Sequence, residues 1–169
     1  DVERSRGLGD VYKRQVNTQP WNVYVLSGDA RDKLVNEATS RYDQGKMDGQ
    51  EYLVYPKEMP DWYKERRRAV GWAMYGAIGI EKGDTEKMMA QGRKNYEFFG
   101  APVGIFITVK NCVGPNGWGH VGHFIQNVCL LAIENGLATC LQEAWAELPK
   151  LVREHVDYPE DETLWCGIA

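Results

Sequence analysis

The chain has 169 residues, of which 43% are hydrophobic and 26% charged, and its formal net charge is −4. This length and balance predict one folded domain with a substantial core and argue against a disordered chain. The net acidity argues against a broad nucleic-acid surface, and no run of residues is apolar for long enough to predict a membrane span.

The first 15 residues, DVERSRGLGDVYKRQ, differ in pattern from the rest of the chain. They show no sustained hydrophobic periodicity, and they change abruptly into a strand-like sequence. We interpret residues 1–15 as a segment outside the domain, either a disordered arm or a sequence foreign to it. The domain is therefore placed at residues 16–169.

The first half of the domain predicts one strand followed by three helices. The strand covers residues 22–26, and the helices cover residues 29–42, 64–80 and 84–98. The polar, proline-containing residues 44–61 between the first two helices indicate an exposed excursion. Arg66, Arg67 and Arg68 in the second helix are interpreted as a solvated face, which a cofactor phosphate could use if it lay nearby.

The second half predicts three strands and two helices. The strands cover residues 103–109, 137–142 and 163–169, the helices cover 120–135 and 149–156, and a glycine-rich loop covers 111–122. The helix at 120–135 is apolar nearly all round, which predicts either a central core helix or a helix packed against another subunit. This order of elements predicts a layered domain with helices against a sheet.

Three glycines, Gly117, Gly119 and Gly122, match the GxGxxG pattern of dinucleotide-binding proteins. In that fold the glycines follow the strand at once, whereas residues 111–116 intervene here. Trp118 also occupies a position where the backbone would approach phosphate closely. A Rossmann-type NAD(P)-binding module is therefore kept only as an alternative.

Cysteine, histidine and tryptophan residues add weaker indications. The four cysteines lie far apart, which favours free thiols and a reducing, cytoplasmic protein. His120 and His123 without a nearby carboxylate make a poor metal site, so no metal is predicted. Six tryptophans favour a planar-ligand site or a subunit interface, although core packing could also use them.

Four segments in register resemble the FMN-dependent nitroreductase family over most of residues 16–169. In chain order they are NTQPWNVYVLSG at 17–28, NYEFFGAPVGIFITV at 95–109, GHFIQNVCLLAIENGLATCLQEAW at 122–145 and PEDETLWCGIA at 159–169. The resemblance implies an α+β, nitroreductase-like fold with a central, mostly antiparallel sheet flanked by helices. It also implies a homodimer with FMN in two clefts at the subunit interface, where hydride from NADH or NADPH passes through flavin N5 to nitroaromatics, quinones or similar planar acceptors in a ping-pong cycle.

The resemblance also implies which residues contact the cofactor. Asn17 and Gln19 would face the hydrogen-bonding rim of the isoalloxazine. In the LQEAW segment, the backbone N–H groups of Glu143 and Ala144 would point at flavin N5 and the adjacent carbonyl, with Gln142 alongside. Fixed amide donors of this kind stabilise the negative charge that reduction places on the ring.

The chain departs from the family pattern at both ends. Arg4-Ser5-Arg6 mimics the family's phosphate-binding motif but lies too close to residues 19–21 to leave room for the helix between them. The family's C-terminal tail, which embraces the partner subunit, has no counterpart after Ala169. We therefore expect a fragment without either phosphate anchor that binds FMN weakly, since each charge-assisted hydrogen bond contributes about 1.5–3 kcal/mol.

Two alternatives to a flavoenzyme remain at this point. One is the Rossmann-type module described above. The other is a flavin-free scaffold protein that dimerises through the 120–135 helix. A flavoprotein purified with its cofactor is yellow, whereas either alternative would be colourless.

Overall fold

The computed structural model of the chain describes residues 17–169. The prediction for residues 1–15 lies outside the described residues. In chain order the elements are β1 (Trp21–Ser27), α1 (Gly28–Asp43), α2 (Asp61–Ala77), α3 (Thr85–Arg93), a first 3₁₀ helix (Lys94–Gly100), β2 (Val103–Lys110), α4 (Pro115–Glu134), β3 (Leu141–Gln142), a second 3₁₀ helix (Glu143–Glu147), α5 (Pro149–Val156) and β4 (Glu162–Ile168). The predicted order of strands and helices is confirmed.

The four strands form one sheet in the order β1-β2-β4-β3, and every neighbouring pair is antiparallel. This confirms the predicted α+β class with an antiparallel sheet. β1 and β3 are the two edge strands. Trp21 at the start of β1 pairs with Val109, whereas Gln142 at the end of β3 pairs with Gly167. The two segments predicted to hold a cofactor therefore border opposite edges of the sheet.

The sheet is covered on both faces. On one face, a core cluster joins α1 and α5 to the sheet around the fully buried Trp145 and Phe106. On the other face, Val121 and Ile125 of α4 pack against Ile107. This arrangement confirms that helices flank the sheet.

A buried carboxylate in β4 links three strands near the β1 edge through side-chain hydrogen bonds. Glu162 in β4 accepts hydrogen bonds from Asn22 Nδ2 at 2.7 Å, from the Tyr24 hydroxyl at 3.0 Å and from Thr108 Oγ1, and it pairs with Lys110 Nζ at 3.1 Å. Burial and the bond to Glu162 raise the pKa of Tyr24 to about 12. Because the carboxylate has partners on every side, its burial is compensated.

The loop predicted at 111–122 is largely helical, so this prediction is wrong. α4 begins at Pro115, at a position where a fixed φ angle suits the first helical turn. A Cβ atom at Gly117 would lie 2.5 Å from Val113 Cβ, so glycine allows close packing of the helix start on the preceding chain. At Gly117 the glycine therefore reflects close local packing at the helix start rather than a flexible loop.

Two other predicted elements are shorter than expected. The helix predicted at 84–98 ends at Arg93, and Phe98 takes a left-handed conformation (φ 52°) that places its ring in the core. The strand predicted at 137–142 reduces to Leu141–Gln142, with one further pair of backbone hydrogen bonds between Cys140 and Ala169. In both cases non-local packing overrides the local pattern.

Much apolar surface remains exposed in the single chain. α2 has no buried residue along its 17 residues. On α4, Leu130, Leu131 and Ile133 are exposed by 55%, 58% and 65%. The α4 helix is therefore not a central core helix, and the prediction of a helix packed against another subunit stays open. None of the helices within residues 17–169 combines the length and apolar character that crossing a lipid bilayer requires.

Candidate cofactor site

The segment Gln142–Trp145 is anchored by a buried aromatic ring. The Trp145 ring is fully buried and stacks on Phe98 with centroids 4.7 Å apart, while Tyr96 and Phe106 approach it edge-on at 5.3 and 5.1 Å. A Cβ atom at Gly167 would lie 2.4 Å from Trp145 Cδ1, so the ring lies directly on the β4 backbone. The chain leaving β3 is thus held in one position.

Hydrogen bonds restrain the same segment further. The Tyr96 hydroxyl donates to the Ala144 carbonyl at 3.1 Å, and Gln142 Nε2 donates to the Asn95 carbonyl at 2.7 Å. Gln142 is 1% exposed, and its Oε1 atom has no hydrogen-bond partner among the described residues. The amide nitrogen of Gln142 is therefore structural, and Oε1 is the polar atom that remains for a ligand.

The N–H groups of Glu143 and Ala144 begin the second 3₁₀ helix. The first N–H groups of a helix have no partner within it, so these two are available as donors. The Glu143 side chain is exposed, whereas the backbone beside it is held by Trp145 and Tyr96. The backbone that carries these two N–H groups is therefore held in place by the core, and their contact with a flavin stays a prediction.

An aromatic cluster of Tyr52, Trp118 and Trp165 lies beside this segment. The sheet register shifts between Ile107 and Thr108 and skips Trp165, whose ring meets Trp118 edge-on at 5.6 Å. Tyr52 lies 5.1 Å from Trp118, and its hydroxyl donates to the Trp165 carbonyl at 2.5 Å. The cluster supplies flat apolar surface near the backbone donors.

Burial and the Glu143 carboxylate shift the pKa values of two groups at this cluster, Cys166 and Tyr52. Burial, with a smaller contribution from the Glu143 carboxylate, raises the pKa of the Cys166 thiol to about 12. Burial likewise raises the pKa of Tyr52, again with a contribution from Glu143. Both groups therefore stay protonated and neutral at physiological pH.

Within residues 17–169, no group of three or more His, Cys, Asp or Glu side chains could hold a metal ion.

Asn17 and Gln19 lie at the opposite edge of the sheet, before β1. Both side chains are exposed, and both residues take positive φ angles of 24° and 40°. The following residue, Pro20, is buried, and its carbonyl accepts a hydrogen bond from Lys110 N–H at 3.2 Å. Because β1 and β3 are three strand spacings apart, roughly 14 Å separates their axes. One copy of the chain does not bring the two predicted halves of the site together.

Comparison with known proteins decides the family. The sequence model of the Nitroreductase family matches residues 14–169. The chain belongs to the nitroreductase family. A Rossmann-type module is excluded as the fold of this domain, because every strand pair within residues 17–169 is antiparallel and the three glycines of the motif lie within α4.

The curated relatives include enzymes that reduce nitroaromatic compounds. The chain is 35% identical over 158 residues to a 4-nitrobenzoate reductase of Nocardioides sp. (strain LMS-CY), covering 90% of this chain and 63% of that protein. It is 29% identical over 155 residues to a nitrobenzene nitroreductase of Ectopseudomonas oleovorans, covering 90% of this chain and 68% of that protein. The chain thus spans about two thirds of the length of the curated relatives that it matches.

Solved structures agree with this assignment. The FMN and NADPH-dependent nitroreductase NfnB from Sphigopyxis sp. strain HMH is 32% identical, with a TM-score of 0.85 over 100% of this chain and 78% of that one. NfnB from Mycobacterium smegmatis, solved in complex with NADPH, is 25% identical, with a TM-score of 0.84 over 100% of this chain and 77% of that one. The nitroreductase fold predicted from the four segments is confirmed.

Sequence reasoning did not single out the aromatic cluster or Tyr96. The only signal for the cluster was the high tryptophan count, which favours a planar-ligand site. Tyr52 belongs to the polar excursion, where no periodicity marks it. Its contact with Trp165 joins residues 113 positions apart, and a local pattern cannot predict such a pairing.

Proposed function

We propose that this chain forms the flavin-binding part of an FMN-dependent oxidoreductase that uses NADPH or NADH to reduce nitroaromatic, quinone or similar planar acceptors. The observation that carries the proposal is the fixed backbone at Glu143 and Ala144, held from behind by Trp145 and Tyr96. The proposal is supported by family membership and by structural neighbours described as FMN and NADPH-dependent. Relatives named as 4-nitrobenzoate and nitrobenzene reductases support the acceptor class.

The residues present suit the ring of FMN. Gln142 Oε1 is a buried acceptor that lacks a partner among the described residues, and the N–H groups of Glu143 and Ala144 are donors beside it. The aromatic cluster adds apolar surface for the ring body. The bound FMN would supply the redox chemistry, taking hydride from the nicotinamide at N5 and passing electrons to the acceptor in a ping-pong cycle. This chain would orient the ring and place backbone donors at its edge.

We further propose that the site is completed by a second copy of the chain. Asn17 and Gln19 border the opposite sheet edge from Ala144, so contact of both with one ring requires two copies. The exposed side chains of Leu130, Leu131 and Ile133 offer an apolar face for such a partner.

A cytoplasmic location is part of this proposal, since the exposed thiols of Cys112 and Cys140 suit a reducing compartment.

Titration with FMN, followed by absorption spectroscopy, tests the cofactor assignment. Ala144→Pro removes one backbone donor at a helix start, where proline is tolerated, and should weaken FMN binding roughly tenfold or more. Glu143→Gln keeps both backbone N–H groups and should leave FMN affinity unchanged. Equal effects of the two substitutions would contradict a backbone site, and a colourless protein without NADPH oxidation after FMN addition would favour a flavin-free scaffold.

Sedimentation velocity tests the second copy. Leu131→Asp places a charge in the apolar face of α4 and should convert a dimer into a monomer. Gln44→Glu adds the same charge at an exposed polar position outside α4, just after α1, and should leave the dimer intact. A monomeric unsubstituted chain, or a dimer that tolerates Leu131→Asp, would refute association through this face.

A further inference from the structure

A basic groove lies between the excursion after α1 and the helix α2. A cavity of about 350 Å³ adjoins another of about 520 Å³, and both are bordered by Met59, Lys64 and Arg67. Arg68 and Trp72 line the first cavity, which also includes Gly71 and Tyr75. We use the term basic groove for this pair of cavities.

The charges of the groove oppose those of the whole chain. The chain carries a formal net charge of −4, whereas the groove is lined by four cationic side chains, Lys57, Lys64, Arg67 and Arg68, and by one carboxylate, Glu58. Within residues 17–169, Arg67 and Arg68 form no ion pair with a carboxylate, and Lys64 pairs with Asp61 at 3.0 Å. Two guanidinium groups without a carboxylate partner in this region attract an anion, because they can form bidentate hydrogen bonds with carboxylate or phosphate.

Aromatic side chains lie among these cations. The Arg67 guanidinium is 4.3 Å from the centroid of the Tyr55 ring, which holds it over a flat surface. Trp72 and Tyr75, 5.9 Å apart, border the same cavity. The groove therefore combines flat apolar surface with positive charge, which suits a planar ring that carries an anionic group.

The groove is tied to the candidate cofactor site through the excursion. Tyr52 is fixed to the Trp165 carbonyl beside Glu143, and Tyr55 of the groove follows three residues later. Three residues span at most about 11 Å, so a groove residue lies within that distance of the aromatic cluster. The groove is thus connected to the aromatic cluster beside the candidate cofactor site through residues 52–55.

We propose that the basic groove binds the anionic group of a planar aromatic ligand, and that Arg67 and Arg68 select for that charge. Two sources provide this chemistry: the carboxylate of an aromatic acid that serves as electron acceptor, and the 2′-phosphate of NADPH. As a substrate-selecting site, the groove deepens the proposed function and rests on it. The arginine run that the sequence suggests to be a solvated face thereby gains a binding role.

Isothermal titration calorimetry of the full chain, with and without FMN, tests the groove. The probes are 4-nitrobenzoate against uncharged nitrobenzene, and NADPH against NADH. The double substitution Arg67→Gln and Arg68→Gln should weaken binding of 4-nitrobenzoate or of NADPH, the member of each pair with the additional anionic group, roughly tenfold and leave its partner probe unchanged. Arg66→Gln is the matched control, since Arg66 lies over Trp62 at 5.1 Å and does not line the groove.

Each outcome decides the proposal. Selective loss of 4-nitrobenzoate binding assigns the anion to an aromatic acid, and selective loss of NADPH binding assigns it to the nucleotide. No loss for either 4-nitrobenzoate or NADPH, an equal loss for nitrobenzene or NADH, or an equal loss in Arg66→Gln overturns the groove. If the unsubstituted chain neither binds FMN nor oxidises NADPH but binds an anionic probe through Arg67 and Arg68, the proposed function fails and the groove stands.

Discussion

The two segments predicted to contact one cofactor differ sharply in how the fold holds them. Gln142–Trp145 is fixed by a buried indole and two side-chain hydrogen bonds. Asn17 and Gln19 are exposed at the opposite sheet edge, and within residues 17–169 their neighbouring support comes from the buried Pro20 and the strand that follows.

This difference indicates that different contacts position the two segments. The Gln142–Trp145 segment is positioned by the core of its own chain. The Asn17–Gln19 segment, with positive φ at two residues other than glycine, lacks comparable support within the described chain. We infer that a second copy and the cofactor provide that support.

The largest effect is expected at the anchor of the fixed segment. Trp145→Ala removes a fully buried indole and should lower the free energy of unfolding by about 3–5 kcal/mol. Trp62→Ala is the matched control, because Trp62 is 55% exposed and should cost no more than about 1 kcal/mol. Urea denaturation measures both, and similar losses would show that Trp145 is not an anchor.

Substitution of one glutamine in each segment compares the two segments directly. Gln142→Ala leaves the Asn95 carbonyl without its donor and should destabilise the fold by about 1–3 kcal/mol. Gln19→Ala at the exposed segment should change the free energy of unfolding by no more than about 0.5 kcal/mol. The same denaturation experiment applies, and a larger cost at Gln19 would reverse the comparison.

Subunit mixing tests whether the two segments meet across copies. The double substitution Asn17→Ala and Gln19→Ala should weaken FMN binding roughly tenfold, as should Ala144→Pro in a separate chain. If each site uses Asn17 and Gln19 from one copy and Ala144 from the other, a mixed dimer has one intact site and one doubly altered site. FMN titration of the mixture should then recover full-affinity binding at half of the sites in mixed dimers, and no recovery would place both segments in one copy.

The smallest effect concerns the hydroxyl that restrains Ala144. Tyr96→Phe removes the bond to the Ala144 carbonyl and should cost about 1 kcal/mol at neutral pH. Burial raises the pKa of Tyr96 above the ordinary value of 10.0, so the folded state keeps this proton to a higher pH than the unfolded state does. This contribution to stability is present below about pH 10 and is lost as the pH rises further. Melting temperatures between about pH 9 and 11 should fall less steeply in Tyr96→Phe, and an unchanged slope would contradict this role of Tyr96.

Local sequence patterns predict much of the fold. The helix at 149–156 begins at a proline and is confirmed at both ends, and the strand at 22–26 is confirmed with one residue added on each side. Prediction fails where close packing, rather than chain flexibility, accounts for the presence of a residue. Gly117 indicates a loop by composition, yet it lies in a helix because its missing side chain leaves room for Val113.

In the candidate site, too, the sequence indicates some residues, and the structure adds contacts that the sequence does not indicate. The resemblance names residues 142–144 from the LQEAW segment, but it does not reveal that the side-chain nitrogen of Gln142 is already bound to the Asn95 carbonyl. It also does not show that the arginines of α2 border a groove, because that groove forms only where the excursion packs beside the helix.

The amino-acid sequence by itself determined the order of strands and helices, the α+β class and the family, since these depend on periodicity and segment identity along the chain. Only the tertiary structure decided that β1 and β3 form opposite edges and that Trp145 fixes the predicted donors. Sheet order and burial depend on contacts between residues far apart in sequence, such as Asn95 with Gln142, and no local pattern specifies those contacts.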